Sequence, residues 1–89
     1  MQIEFDPEKD KINQSKHGLP LTLAIELDMQ NSLVWIDTRK NYGEVRMIAL
    51  APSTGILYYV AYVDRNESRR IISLRKANRR EVKHYVSNI

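Results

Sequence analysis

The side chains best suited to chemistry in this 89-residue chain are cationic, and many of them lie in one stretch, RRIISLRKANRRE, at residues 69–81. Its cations are Arg69, Arg70, Arg75, Lys76, Arg79 and Arg80. Guanidinium groups present fork-shaped sets of N–H donors that match phosphate oxygens. Cations at the start of a helix also oppose the positive end of its dipole, a cost that a bound anion would offset. The stretch therefore indicates either a well-solvated rim or a surface that binds an anion.

A second group of polar side chains, Lys9, Lys16 and His17, lies near the N-terminus. Lys9 and Lys16 are about two helical turns apart, so a helix through this segment would carry both on one side. Imidazole gains and loses a proton near neutral pH, which suits general acid or base catalysis. His17 could instead bind a free carbonyl at a helix end, and the lysines could simply face water. Both interpretations stay open at the level of sequence.

Several other kinds of site are not indicated. The chain has no cysteine, and two histidines, His17 and His84, are too few to predict a zinc site. No glycine-rich phosphate loop and no Ser-His-Asp pattern is visible. A nuclease made of these groups would work without metal or cofactor, because the 2′-hydroxyl of RNA can attack its own phosphodiester while side chains move protons and cations stabilise charge.

Charge is distributed unevenly along the chain, whose net charge is +3. Residues 1–45 sum to −3 and residues 46–89 to +6, which favours a polyanionic partner for the second half. The longest apolar run, ILYYVAYV, is too short to span a bilayer, and the N-terminus has no signal-peptide pattern. We therefore expect a reduced cytoplasmic protein with no membrane partner.

The elements that must position these groups form one predicted domain over residues 1–89, of the α+β class. Strands are predicted at residues 2–5, within 32–43, at 44–51, 56–68 and 69–77; helices at 6–18, 19–30 and 78–88. The order is β-α-α-β-β-β-β-α, and short links between the last four strands predict an antiparallel meander with the helices packed on one face.

Strand alternation assigns the cations of residues 69–77 to faces. It groups Arg70 with Ile72 and Leu74, and Arg75 with Ile71 and Ser73. If Ile72 and Leu74 form the core pair, Arg75 projects from the other, open face.

The helical patterns predict two inward stripes. These are Leu21, Ala24, Ile25 and Leu27 in the second helix, and Val82, Tyr85 and Val86 in the last. Four aromatic residues, Trp35, Tyr58, Tyr59 and Tyr62, could stack on nucleic-acid bases, but aromatic residues at strand spacing more often pack in a core.

Five motifs together resemble a known family. They are FDPEK (5–9), NQSKHG (13–18), DTR (37–39), GEVR (43–46) and RIISLRKANRRE (70–81). In this order and at this spacing, the chain resembles the BrnT family of type II toxins, which share the RelE-like ribonuclease fold. The resemblance covers nearly the whole chain.

The resemblance implies a metal-independent endoribonuclease toxin that cleaves RNA and inhibits translation. A BrnA-like ribbon-helix-helix antitoxin would neutralise it, and the complex would contact operator DNA mainly through the antitoxin. The implied catalytic residues are His17, Arg75, Arg70, Lys16 and Lys9, and the implied nucleic-acid contacts are Arg46, Arg69, Lys76, Arg79 and Arg80. An alternative is a non-catalytic nucleic-acid-binding subunit of a repressor complex, which would lose affinity gradually as charges are removed.

Overall fold

A computed structural model describes all 89 residues. The strands are β1 (Gln2–Phe5), β2 (Leu33–Ile36), β3 (Met47–Ser53), β4 (Ile56–Arg65) and β5 (Ser68–Lys76), and the α-helices are α1 (Pro7–His17) and α2 (Arg79–Ser87). The five strands form one sheet in the order β1-β5-β4-β3-β2. No helix is long and apolar enough to cross a membrane. The α+β class is confirmed.

The predicted antiparallel meander is confirmed for β2 to β5, because each of these strands pairs antiparallel with the next. The β3–β4 connection consists of Thr54 and Gly55, whose φ angles of 47° and 80° suit a tight hairpin. β1 is the one parallel strand, and it pairs with β5 through Gln2–Ser68 to Phe5–Ile71. Consequently β1 is an edge strand beside β5, and the other three strands lie on the far side of β5.

The first helix begins and ends as its local sequence predicts. The Asp6 carboxylate accepts a hydrogen bond from the Glu8 N–H at 2.9 Å, Pro7 occupies the first turn, and Gly18 ends the helix with a φ of 69°. Because these signals lie within a few residues of each terminus, they operate independently of the rest of the fold.

The predicted second helix is wrong as an α-helix. Residues Leu21–Glu26 and Met29–Asn31 form two short 3₁₀ segments instead. A 3₁₀ helix has 3.0 residues per turn, so Leu21, Ala24 and Leu27 lie above one another, and all three are buried. Ile25 falls outside this stripe and is 68% exposed, contrary to the prediction.

The core lies between the 3₁₀ segment and one face of the sheet, which we call the core face. Its buried cluster comprises Leu21, Ala24, Leu27, Ala49, Ala51, Tyr58, Val60, Tyr62, Ile71 and Leu74. Arg46, Arg70 and Arg75 project on the opposite side, which we call the cationic face.

A β-bulge in β5 corrects the predicted faces. Ala61 pairs with Ser73 but Tyr62 pairs with Ile71, so Ile72 has no partner on β4. The core pair is therefore Ile71 and Leu74, which are 1% and 0% exposed, and the predicted pair of Ile72 and Leu74 is wrong. The extra residue also turns Arg70 away from the core side, where alternation had placed it.

The last helix begins at a capping box between Asn78 and Glu81, whose residue types three positions apart are typical of a helix start. Glu81 pairs with Arg75 on the cationic face, so α2 does not share a face with the 3₁₀ segment, and the prediction that all helices pack on one face is wrong for it. Of its predicted stripe, Tyr85 is half-buried and donates its hydroxyl to the Asn31 carbonyl, whereas Val82 and Val86 are 41% and 63% exposed.

Asn13 fixes α1 against the free edge of β5, beyond the end of β1. Its side chain accepts from the Leu74 N–H at 2.9 Å and donates to the carbonyls of Leu74 and Leu19, both at 2.8 Å. The Asn13 amide thus replaces one step of a strand ladder and holds the helix at a fixed height along the sheet. Asn13 is 3% exposed, so water does not compete for these groups.

Replacement of Asn13 by alanine is expected to lower the free energy of unfolding by about 2–4 kcal/mol, because both backbone groups of Leu74 would be left buried and unpaired. Urea denaturation measures the change. The matched control is Gln14→Ala, since Gln14 is the exposed neighbour on the same helix and bonds only Asp10 through its side chain. Equal small effects in the two variants would contradict this role for Asn13.

Candidate active site

A cleft of about 310 Å³ opens beside α1 on the cationic face. It is lined by Lys9, Ile12, Asn13, Lys16 and His17 from α1, Arg46 before β3, and Ile72 and Ser73 from β5. The bulge presents two consecutive β5 residues, Ile72 and Ser73, as its floor. No carboxylate lines it, so its electrostatic potential favours an anion.

Arg46 and Arg70 lie on either side of Val63 on the cationic face. Arg70 pairs with Val63 in the β4–β5 register, and continuing the Met47–Tyr62 register by one residue places Arg46 opposite Val63. Twice the strand spacing puts their backbones about 10 Å apart, which two arginine side chains can bridge around one phosphate. The Nε atoms of both are buried and have no hydrogen-bond partner within the protein.

Neither arginine forms an ion pair, although Glu4 lies opposite Arg70 on β1. A buried donor without a partner destabilises the folded protein by roughly 1–3 kcal/mol. An anion that accepted hydrogen bonds from both Nε groups would remove this cost and would therefore bind favourably. The cleft thus brings together four residues predicted from sequence: Lys9, Lys16, His17 and Arg46. Arg70 is not among its lining residues and lies across Val63 from Arg46.

His17 lies at the last position of α1, exposed, and its ring forms no side-chain hydrogen bond. The alternative that His17 binds a free carbonyl at the helix end is not what the structure shows, because Gly18 closes the helix through its own N–H to Gln14. The imidazole is therefore free to exchange a proton with a molecule in the cleft.

Arg69 does not belong to this cleft. It projects on the core face, where its guanidinium lies 4.3 Å from the centre of the Tyr62 ring and its Nε donates to Asp64 at 2.7 Å. The hydrogen bonds to Asp64 raise the pKa of Arg69. The Arg69 guanidinium is therefore charged and already has a partner within the protein. Alternation through an unbroken strand had placed Arg70, and not Arg69, on the core side.

Arg75 projects on the cationic face as predicted but is already paired. Its guanidinium donates two hydrogen bonds to Glu81, at 2.8 and 2.9 Å, and lies 4.0 Å from the centre of the Tyr59 ring. The Glu81 hydrogen bonds raise the pKa of Arg75. Burial opposes ionisation of Glu81, but the bonds from Arg75 and from the Asn78 N–H outweigh it and lower its pKa. Arg75 therefore ties β5 to α2 rather than lining the cleft.

Lys76, Arg79 and Arg80 are exposed at the end of β5 and the start of α2, and none forms an ion pair. They do not line the cleft either. As solvated cations on a neighbouring surface, they could attract a long polyanion without contacting the reacting group.

Asp37 and Tyr42 hold Arg46 in place, and sequence analysis missed this role. The Asp37 carboxylate is 1% exposed and accepts from the Arg39 side chain at 2.8 Å and the Tyr42 hydroxyl at 2.9 Å. The Tyr42 ring in turn lies 3.8 Å from the Arg46 guanidinium carbon. The sequence analysis used the DTR motif only as part of the family resemblance, and no local signal connects Asp37 to a residue nine positions later.

The Asp37 cluster predicts a dependence of stability on pH. Hydrogen bonds from Arg39 hold the pKa of Asp37 well below its usual range, with a smaller contribution from Tyr42. Because the folded state has the lower pKa, this stabilisation is fully present above the unfolded pKa of about 3.9 and is lost as the pH falls further. We expect the free energy of unfolding to be flat from about pH 7 to 5 and to fall below about pH 4. Urea titrations across this range measure it.

The control for this prediction is Asp37→Asn, which keeps the shape of the side chain and removes the charge. Its acid-induced loss of stability should be clearly smaller than that of the wild type. An unchanged loss would mean that other carboxylates, Glu81 included, produce the acid sensitivity.

A search of curated proteins returns no match to this chain. A protein-family model described as ribonuclease toxin, BrnT, of type II toxin–antitoxin system matches residues 5–81. That range contains the whole cleft, Arg46, Arg70 and the Asp37 cluster. The chain therefore belongs to the BrnT family of ribonuclease toxins of type II toxin–antitoxin systems.

Proposed function

We propose that the protein is a metal-independent endoribonuclease whose reaction takes place in the cleft between α1 and β5. The observation that carries the proposal is the pair of buried, unpartnered Nε atoms of Arg46 and Arg70, which flank Val63 on the cationic face. This arrangement suits a phosphodiester, whose oxygens would accept from both guanidinium groups.

The reaction joins the 2′-oxygen of one nucleotide to the adjacent phosphorus and breaks the bond from phosphorus to the 5′-oxygen. Its products are a 2′,3′-cyclic phosphate and a 5′-hydroxyl end. Charge accumulates on the non-bridging oxygens in the transition state, and Arg46 and Arg70 would stabilise it there. His17 would exchange the proton, either taking it from the 2′-hydroxyl or giving it to the 5′-oxygen.

Lys9 and Lys16 border the cleft on the same helix as His17 and form no ion pair. In this proposal they hold the RNA backbone, and Lys16, next to His17, can supply the second proton. Arg75 contacts RNA only if Glu81 releases it, so we assign it a backbone contact outside the reacting phosphate.

The side chains offer no group of three or more His, Cys, Asp or Glu residues that could hold a metal ion. The experiment is incubation of the purified protein with a long RNA in EDTA, followed by analysis of the product ends. We expect cleavage with 2′,3′-cyclic phosphate ends, and no cleavage of the same RNA after 2′-O-methylation. Activity that EDTA abolishes and Mg²⁺ restores would overturn the metal-independent route.

Type II toxin families include an antitoxin partner, and we propose that the partner here is a BrnA-like ribbon-helix-helix protein that covers the cleft. The unpaired cations of the cleft support an acidic contact surface on that partner. Operator DNA would then be bound mainly through the antitoxin. The cognate antitoxin should stop RNA cleavage and protect Lys9 and Lys16 from acetylation. Inhibition without such protection would exclude simple occlusion.

A further inference from the structure

The aromatic side chains differ sharply in how far they are exposed. Tyr58 and Tyr62 are buried in the core, the ring of Tyr59 is covered by Arg75, and that of Tyr42 by Arg46. Trp35 is 36% exposed, more than any other aromatic residue of the chain. An exposed indole presents an aromatic face on which a nucleic-acid base can stack when cations lie nearby.

Trp35 lies on the cationic face and close to the reacting site. It pairs with Ile48 on β3, and Arg46 lies two residues before Ile48 on the same side of the sheet. Diagonal neighbours of this kind are separated by about 7–8 Å, a distance that a single nucleotide spans. A phosphate bound at Arg46 would thus have an adjoining base within reach of the indole.

The surroundings of Trp35 also suit a nucleotide. The His84 ring from α2 packs edge-on against the Trp35 indole, with 5.9 Å between ring centres and 80° between ring planes. This contact fixes the orientation of the indole. The same helix carries Arg79, Arg80 and Lys83, none of which forms an ion pair. An aromatic ring beside unpaired cations is the combination with which proteins bind single-stranded nucleic acids.

We propose that Trp35 stacks on a base of the RNA adjacent to the scissile phosphate, forming a nucleobase subsite; this inference rests on the proposed cleavage in the cleft. Stacking on a π-face tolerates any base, so the subsite selects single-stranded RNA with an unpaired base at this position.

The experiment uses the fact that Trp35 is the single tryptophan of the chain. A 2′-O-methylated mixed-sequence oligonucleotide, which cannot be cleaved, is titrated into the wild-type protein while its tryptophan fluorescence and the anisotropy of a labelled oligonucleotide are recorded. We expect binding with strong quenching. An abasic oligomer of equal length should bind about tenfold more weakly, and without the same quenching.

Variants provide the second measurement. Trp35→Leu keeps an apolar side chain and should lower kcat/KM for RNA about tenfold, chiefly through KM, whereas Trp35→Phe keeps a ring and should restore most of it. Binding and cleavage without quenching, or unchanged kcat/KM in Trp35→Leu, would overturn the subsite and leave the proposed function standing. If Trp35→Leu weakened only antitoxin binding, the surface would belong to the protein partner. Failure of the oligonucleotide to bind at all would overturn both proposals.

Discussion

Replacement of His17 by alanine is expected to lower kcat for RNA cleavage by roughly 10²–10⁴-fold, the range that a positioned general acid or base contributes. The reason is geometric: His17 ends α1 at the border of the cleft, and no other group of the protein occupies its ring nitrogens. The affinity for RNA should change little, because imidazole contributes mainly to the transition state. Single-turnover cleavage and oligonucleotide binding, measured side by side, separate the two quantities.

Lys11→Ala is the matched control for His17→Ala. Lys11 belongs to the same helix, pairs with Glu8 at 3.7 Å and lies outside the cleft, so its removal should leave cleavage unchanged. A proton-transfer role also predicts that one limb of the pH dependence of kcat disappears in His17→Ala. Full activity with an unaltered pH profile in that variant would move the proton transfer to Lys16 or to another group.

Arg70→Ala is expected to lower kcat/KM by roughly 10²–10³-fold, the loss seen when one donor to a developing oxyanion is removed. Arg70→Lys should recover only part of it, because an ammonium group lacks the fork geometry of guanidinium. If Arg46 and Arg70 bind the same phosphate, the double variant should lose far less than the product of the two single losses. Single-turnover rates of the four proteins test this cycle.

The control here is Arg65→Ala, since Arg65 belongs to the neighbouring strand and pairs with Glu44 at 2.9 Å, away from the cleft. Its activity should equal that of the wild type. A gradual loss of RNA affinity with each arginine removed, and no specific loss of turnover, would instead favour the non-catalytic nucleic-acid-binding subunit. A ribonuclease and a non-catalytic binding subunit thus differ in whether turnover or RNA affinity falls when an arginine is removed.

The sequence by itself determined the features whose physical causes are local. The Asp6–Pro7 start and the Gly18 end of α1, the capping box of Asn78 and the tight turn at Thr54–Gly55 each depend on groups a few residues apart. The family motifs also identified Lys9, Lys16, His17, Arg46 and Arg70 as candidates, because residue type and spacing are visible without a structure.

Tertiary structure alone decided which of those candidates lie together. The bulge at Ile72 arises from the register of β5 against β4, a pairing that no short stretch encodes, and it moves Arg70 to the cationic face and Arg69 to the core face. The ion pair of Arg69 with Asp64 depends on the same register, and that of Arg75 with Glu81 depends also on where α2 packs. Likewise, Asn13 and Asp37 gain their roles only through partners distant in the chain, Leu74 and Tyr42–Arg46, because positioning is a property of contacts and not of composition.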